Sequence, residues 1–135
     1  MTHMTGGCLC GNIRYAIKTE PALTVVCHCT HCQKASGSAF STNLVAPRAD
    51  VEFTGGDMAV YEDSADSGNT LKRSFCPKCG SSIMSESSGR PGVCVMKAGT
   101  LDDTSKIAPT MQIWTRSAQP WAQFKAEMVS MEKGR

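Results

Sequence analysis

The chain has 135 residues, a length that suits one domain burying about two thirds of the surface its unfolded form would expose. With 41% hydrophobic but only 6% aromatic residues, 12 glycines and 6 prolines, the core is modest and turns are frequent, so something besides apolar burial is expected to help hold the fold. A formal charge of +2 with no clustered basic face argues against nucleic acid as a partner, and neither a leader-like opening nor an apolar run long enough to span a bilayer is present; the reading is a soluble, cytoplasmic single domain over residues 1–135.

Taken in chain order, His3 falls in an opening tail expected to be disordered. "NIRYAIKTE" alternates apolar and polar residues at Ile13, Tyr15 and Ile17, the period of a half-buried strand. "LTVVC" carries β-branched residues into Cys27, and the turn after Cys32 is a helical candidate. "STNLVA", "VEFT" and "MAVYED" follow as short strands separated by turn residues. The polar run "EDSADSGNT", Glu62 to Thr70, is expected to be an exposed hairpin tip, after which "LKRSF" returns to Cys76. "GVCVMKAGTL" and "TMQIWTRS" read as further strands, and "PWAQFKAEMVSM" as a second helical candidate with Pro120 at its start. There is no internal repeat and no linker. The class is mainly β.

Seven of the eight cysteines stand in the spacings C-x-C, C-x-C-x-x-C and C-x-x-C, which are those of metal chelation rather than of dispersed disulfide staples. "FCPKCGSS" is a tight turn that can aim two sulfurs at one ion, with Gly80 supplying the positive φ such turns need. A structural zinc takes four ligands. "GGCLCGN" can complete the set, because residues two apart on an extended chain face the same side. Cys8, Cys10, Cys76 and Cys79 would then tie the opening of the chain to the later hairpin. Four thiolates also accept iron, whose use would need an electron-transfer setting that the sequence does not supply.

"CHCTHC" holds the remaining grouped cysteines, Cys27, Cys29 and Cys32. Three thiolates leave one tetrahedral position of a zinc open, the mark of a catalytic rather than a structural centre. His28 or His31 could fill that position. The alternative is that they shape the rim, His28 pointing away from the face shared by Cys27 and Cys29. Cys94, between Val93 and Val95, reads as a small buried hydrophobe. With both metals bound the formal charge would fall to about −1, so the apparent basicity carries no argument.

Together these motifs resemble the glutathione-dependent formaldehyde-activating enzyme family, also called the centromere protein V family. "GGCLCGNIRY", "CHCTHCQKASGSAF", "RSFCPKCGSSI", "KAGTLDD" and "PTMQIWTRSAQPW" match its motifs in order over nearly the whole chain. The resemblance implies a complex fold of several coiled antiparallel sheets, of β-tent type, organised around a structural zinc at Cys8, Cys10, Cys76 and Cys79. It implies a second, catalytic zinc at Cys27, Cys29 and Cys32. It further implies a carbon–sulfur lyase that joins glutathione to formaldehyde as S-hydroxymethylglutathione. One departure is that relatives often carry histidine where this chain has Gln112.

The expected chemistry is that a small thiol such as glutathione takes the open zinc position, loses its proton and attacks an aldehyde carbon. Positioning is expected to matter more than carbonyl polarisation, since zinc with three thiolates is a weak Lewis acid. Lys34, Arg48, Lys72 and Arg73 are the candidate contacts for the thiol's carboxylates, and Ser36 and Ser38 could donate hydrogen bonds nearby. Two competitors stand beside this reading. A non-catalytic zinc module binding a thiol or a partner protein would need only one closed centre. A redox enzyme akin to methionine sulfoxide reductase would use Cys94 as nucleophile and would need it accessible. Nothing in the sequence sets an oligomeric state.

Overall fold

The computed structural model describes residues 3–124 and 127–134. Among these the order is β1 (Met4–Gly7), β2 (Ile13–Ile17), β3 (Leu23–Cys27), α1 (Thr30–Ser36), β4 (Ser41–Pro47), β5 (Val51–Gly55), β6 (Ala59–Ser64), β7 (Thr70–Phe75), β8 (Ser82–Ser87), β9 (Val93–Lys97), β10 (Met111–Ile113) and β11 (Val129–Ser130). Short 3-10 turns lie at Arg48–Asp50, Ala98–Thr100 and Thr115–Ser117. The class is mainly β, as the alternation of apolar residues predicts.

Two sheets form. One has the order β1-β2-β5; the other runs β11-β10-β3-β4-β9-β8-β7-β6 and does not close into a barrel. Pairing is antiparallel except that β10 runs parallel to both β3 and β11. The core lies between the sheets. From β2 come Ile13, Tyr15 and Ile17, all at most 3% exposed, and from β5 comes Val51; opposite them stand Leu44, Ala46, Met84, Cys94 and Met96.

The two-residue period of a strand then dictates what the larger sheet shows on its other face. In β9, Cys94 and Met96 point into the core, so Val95 and Lys97 point away from it. Residues paired across an antiparallel ladder share a face, and Lys97 pairs with Asn43, Val95 with Ser85, and Ser85 with Arg73. Cys27 pairs with Ser41, two residues before Asn43 on β4. One face of the sheet is therefore apolar and packed, and the other carries Cys27, Ser41, Asn43, Lys97, Ser85 and Arg73.

Several local expectations are corrected. His3 is not a loose tail, because its N–H donates to the Ile17 carbonyl (2.8 Å) and extends the β1–β2 ladder. The segment from Pro120 to Met131 is not helical over its described residues; Lys125 and Ala126 lie outside them. Val129 N–H donates to the Thr110 carbonyl (3.2 Å) and Met131 N–H to the Gln112 carbonyl (2.9 Å), so β10 satisfies backbone groups that a helix would have used. Glu62–Ser64 and Thr70 belong to β6 and β7, which leaves only Ala65–Asn69 as the hairpin tip.

Candidate metal centres and the cavity beside them

The first cysteine group sits where two hairpin turns meet. Cys8 and Cys10 are not on extended chain. Gly11 N–H donates to the Cys8 carbonyl (3.2 Å), closing a turn between β1 and β2 that swings the two sulfurs to 3.6 Å apart. Cys76 and Cys79 flank the turn between β7 and β8, where Gly80, at φ +78°, donates to the Cys76 carbonyl (2.8 Å). Cys10 Sγ lies 3.8 Å from Cys76 Sγ, and all four sulfurs fall within 4.8 Å of one another. Four thiolates at about 2.3 Å from a tetrahedral zinc stand about 3.8 Å apart, so the donor set and its spacing fit that ion. Ile13 N–H donates to Cys8 Sγ (3.2 Å), and the Ser81 hydroxyl and amide hold the Cys79 thiol down at about 5, favouring the thiolate a metal requires.

The second group forms where β3 runs into α1. Cys27 ends the strand, Cys29 is the N-cap residue, its Sγ accepting from Cys32 N–H (3.2 Å), and Cys32 lies in the first turn of the helix. A strand–cap–helix junction turns three side chains inward that neither element alone could converge. Their sulfurs also lie within 4.8 Å of one another, which fits three ligands of one ion. Hydrogen bonds from Cys27 and Cys29, then from Ser41, together with the charge of Lys97, drive the Cys32 thiol far below its ordinary value. The same contacts with Cys29 and Cys32 push Cys27 far up.

Neither histidine joins the sulfurs. His28 is 1% exposed, packed edge-on against Phe40 and Phe124, with Nε2 2.9 Å from Gln112 Oε1. His31 Nδ1 lies 2.8 Å from Asp63 Oδ2, and Asp63 also accepts from Arg73 Nε (3.0 Å). Burial raises the Asp63 carboxyl, but those two partners outweigh it and hold it below its usual value.

The three sulfurs open onto a cavity of about 520 Å³ whose walls include Asp63, Arg73, Lys97, Trp114 and Arg116. Its size lies within the range of small-ligand sites. A second cavity of about 500 Å³ is lined by Cys32 together with Ser36, Ser38, Ser41 and Thr42. Cys32, Arg73 and Lys97 line both.

Residues 3–117 match the profile of the family described as glutathione-dependent formaldehyde-activating enzyme. The chain belongs to this family. Membership supports glutathione-dependent activation of formaldehyde as the general chemistry, with a thiol and an aldehyde as small-molecule substrates. A crystal structure of a Rhodobacter sphaeroides protein is similar in fold, with a TM-score of 0.60 and 20% identity over 78% of this chain and 92% of that one.

Within this formaldehyde-activating fold the candidate carboxylate contacts separate. Arg73 lines the cavity. Lys72, its neighbour on β7, points to the opposite face, in register between Glu62 and Glu86. Arg48 donates to the Val51 carbonyl (2.9 Å) and lies over the Phe53 ring, and Lys34 is on the exposed side of α1; neither lines either cavity. Lys97, Asn43 and Arg116 line the cavity and escape a linear reading. For Lys97 a signal existed: once Cys94 is read as core, the residue three further along the same strand must face the other way. Cys94 itself is fully buried and its thiol is pushed up to about 11 by that burial, which removes the accessibility that a redox nucleophile needs. Among the described residues no helix is long and apolar enough to cross a membrane.

Proposed function

We propose that this protein is a zinc-dependent carbon–sulfur lyase that adds a small thiol, glutathione or one like it, to formaldehyde or a related aldehyde. The observation that carries this reading is the placement of three cysteine sulfurs at the wall of a cavity of about 520 Å³ that also presents Arg73, Lys97 and Arg116. A closed metal-binding module needs no such cavity.

A zinc held by Cys27, Cys29 and Cys32 would supply a position at which a thiol loses its proton near neutral pH. The chain's own residues do the rest. Arg116 and Arg73 receive the carboxylates of a peptide-like thiol, Arg73 being fixed by Asp63 so that little side-chain freedom is lost on binding. Gln33 donates to the His28 carbonyl (2.7 Å) and the Ser117 carbonyl (3.0 Å), holding α1 against the closing segment and so fixing the floor of the site. Orientation of the two reactants against this wall supplies the rate. The group of Cys8, Cys10, Cys76 and Cys79 holds a second zinc as a structural tie. The whole chain, residues 1–135, acts as one domain, and seven cysteines kept as metal ligands beside one buried thiol suit a reducing cytoplasm.

The deciding measurement is zinc per chain on protein prepared under reducing conditions, beside Cys29→Ser, together with turnover of glutathione and formaldehyde. Two zincs falling to one, with turnover abolished, is the expected result. One zinc in both proteins would mean that the three-cysteine group holds no metal, and the enzyme reading would give way to a binding module.

A further inference from the structure

Lys97 is a cation placed by strand alternation on the cavity face of β9, and its surroundings are specific. Its Nζ donates to Asn43 Oδ1 (2.9 Å), and Asn43 Nδ2 donates to Ser41 Oγ (3.1 Å). Ser41 is the cross-strand partner of Cys27. A hydrogen-bonded row therefore runs along β4 from the ammonium to the edge of the three-sulfur group, with Asn43 and Ser41 each 7% exposed. An ammonium has three N–H donors, and Asn43 takes one. Among the described residues no carboxylate lies within 4 Å of Nζ; Asp63 on the same cavity is already engaged by His31 and Arg73. Lys97 is also one of the residues shared by the two cavities, at the partition formed with Cys32 and Arg73.

We infer that Lys97 is a catalytic residue, the donor that receives the oxyanion formed when a thiol sulfur adds to the aldehyde carbon, with Asn43 as the residue that positions it. This rests on the function proposed above. In the step, the sulfur–carbon bond forms as the carbonyl π pair moves onto oxygen, and that oxygen accepts N–H hydrogen bonds from Lys97. A proton from water then gives the hydroxyalkyl thioether, the thiol having released its own proton beforehand. Run backward, the same contact stabilises the alkoxide from which the thiolate departs.

The position of Lys97 favours this over carboxylate binding. In a peptide-like thiol the nearest carboxylate is several bonds from sulfur, within reach of Arg116, whereas Lys97 lines both cavities together with Cys32 and is joined through Asn43 to Ser41, the cross-strand partner of Cys27. The aldehyde oxygen is the one acceptor that must be close to the sulfur as it reacts. Half-buried at the cavity wall and held by Asn43, the ammonium keeps N–H donors free for a charge that appears only as the carbonyl oxygen becomes an alkoxide, which is the condition for a donor that acts more strongly on the transition state than on the ground state.

The test uses full-length, metal-loaded protein with glutathione and formaldehyde, comparing wild type, Lys97→Met and Lys97→Arg for kcat, KM, zinc per chain and glutathione affinity by calorimetry. The expected result for Lys97→Met is a loss of about 100- to 1,000-fold in kcat with zinc content and glutathione affinity unchanged, and partial recovery in Lys97→Arg. Asn43→Leu should lower kcat less, with the same zinc content. A fall in zinc content instead would make Lys97 a charge balance for the cysteines, a fall in glutathione affinity alone would make it a carboxylate contact, and an unchanged kcat would leave it without a role; each overturns the inference while wild-type turnover leaves the lyase reading standing. Absence of turnover in the wild type would overturn the lyase reading and this inference with it.

Discussion

Asp102 shows how much one exposed side chain can organise. Its carboxylate accepts from both terminal nitrogens of Arg14 (2.9 and 2.5 Å) and from the Thr5 hydroxyl (2.7 Å), joining β1 and β2 to the chain that follows β9. Arg14 first, then Thr5, hold it down at about 2, against about 3.9 for an unperturbed aspartate. A depressed carboxyl contributes stability that is complete above the unfolded value and is lost as pH falls through the folded one. The stability difference between wild type and Asp102→Asn, read from urea midpoints, should therefore be constant above about pH 5 and shrink between about pH 4 and 2. A difference independent of pH would remove the carboxylate from the account; acid release of metal is common to both proteins and cancels. At this same scale the division of the seven cysteines into a group of four and a group of three was legible from their spacings, although the turn that brings Cys8 and Cys10 together was not. Nor were His28 and Gln112. What Gln112 does here, bonding His28 on one side and Ser130 (2.8 Å) on the other, depends on a parallel strand pairing that no local pattern announces.

At the scale of elements, the strands with β-branched or alternating residues were readable, and those made of glycine and serine were not. β1, "MTGG", and β8, "SIMSES", have little strand propensity of their own and are strands because paired neighbours impose it. Glycine in β1 has a further reason. A Cβ at Gly6 would stand 2.5 Å from both the Thr100 carbonyl oxygen and the Tyr15 hydroxyl, and those two residues are themselves joined by a 2.7 Å hydrogen bond. Gly6→Ala should destabilise the fold by about 1–3 kcal/mol, the usual cost of overpacking a filled site, and should do so with both cysteine groups chemically intact. An unchanged denaturation midpoint would mean that β1 can move off Thr100 freely. The short helix α1 was foreseen only as a turn after Cys32; it begins two residues earlier because the Cys29 sulfur caps it, a role usually taken by an oxygen.

For the whole molecule, the four-cysteine group joins chain segments from opposite sheets: the β1–β2 turn belongs to the three-stranded sheet and the β7–β8 turn to the eight-stranded one. Zinc there would act as a tie between layers, and apparent binding energies of about 10–16 kcal/mol in small zinc domains exceed what most domains hold in reserve. Cys79→Ser should therefore unfold the protein or lower its melting temperature by tens of degrees, whereas Cys29→Ser should change it little. Equal melting temperatures for the two variants would contradict the division into a structural and a reactive centre. The alternation in β9 carries a last consequence. If that strand slipped by one residue against β4 and β8, its two faces would trade places. Cys94 would exchange the core for the cavity face, and the ammonium of Lys97 would be driven into the core beside Leu44. An unpaired charge in that interior is costly enough, at several kcal/mol, to forbid the slip. The lysine thus polices the pairing of its own strand, and with it the separation of the packed face from the cavity face.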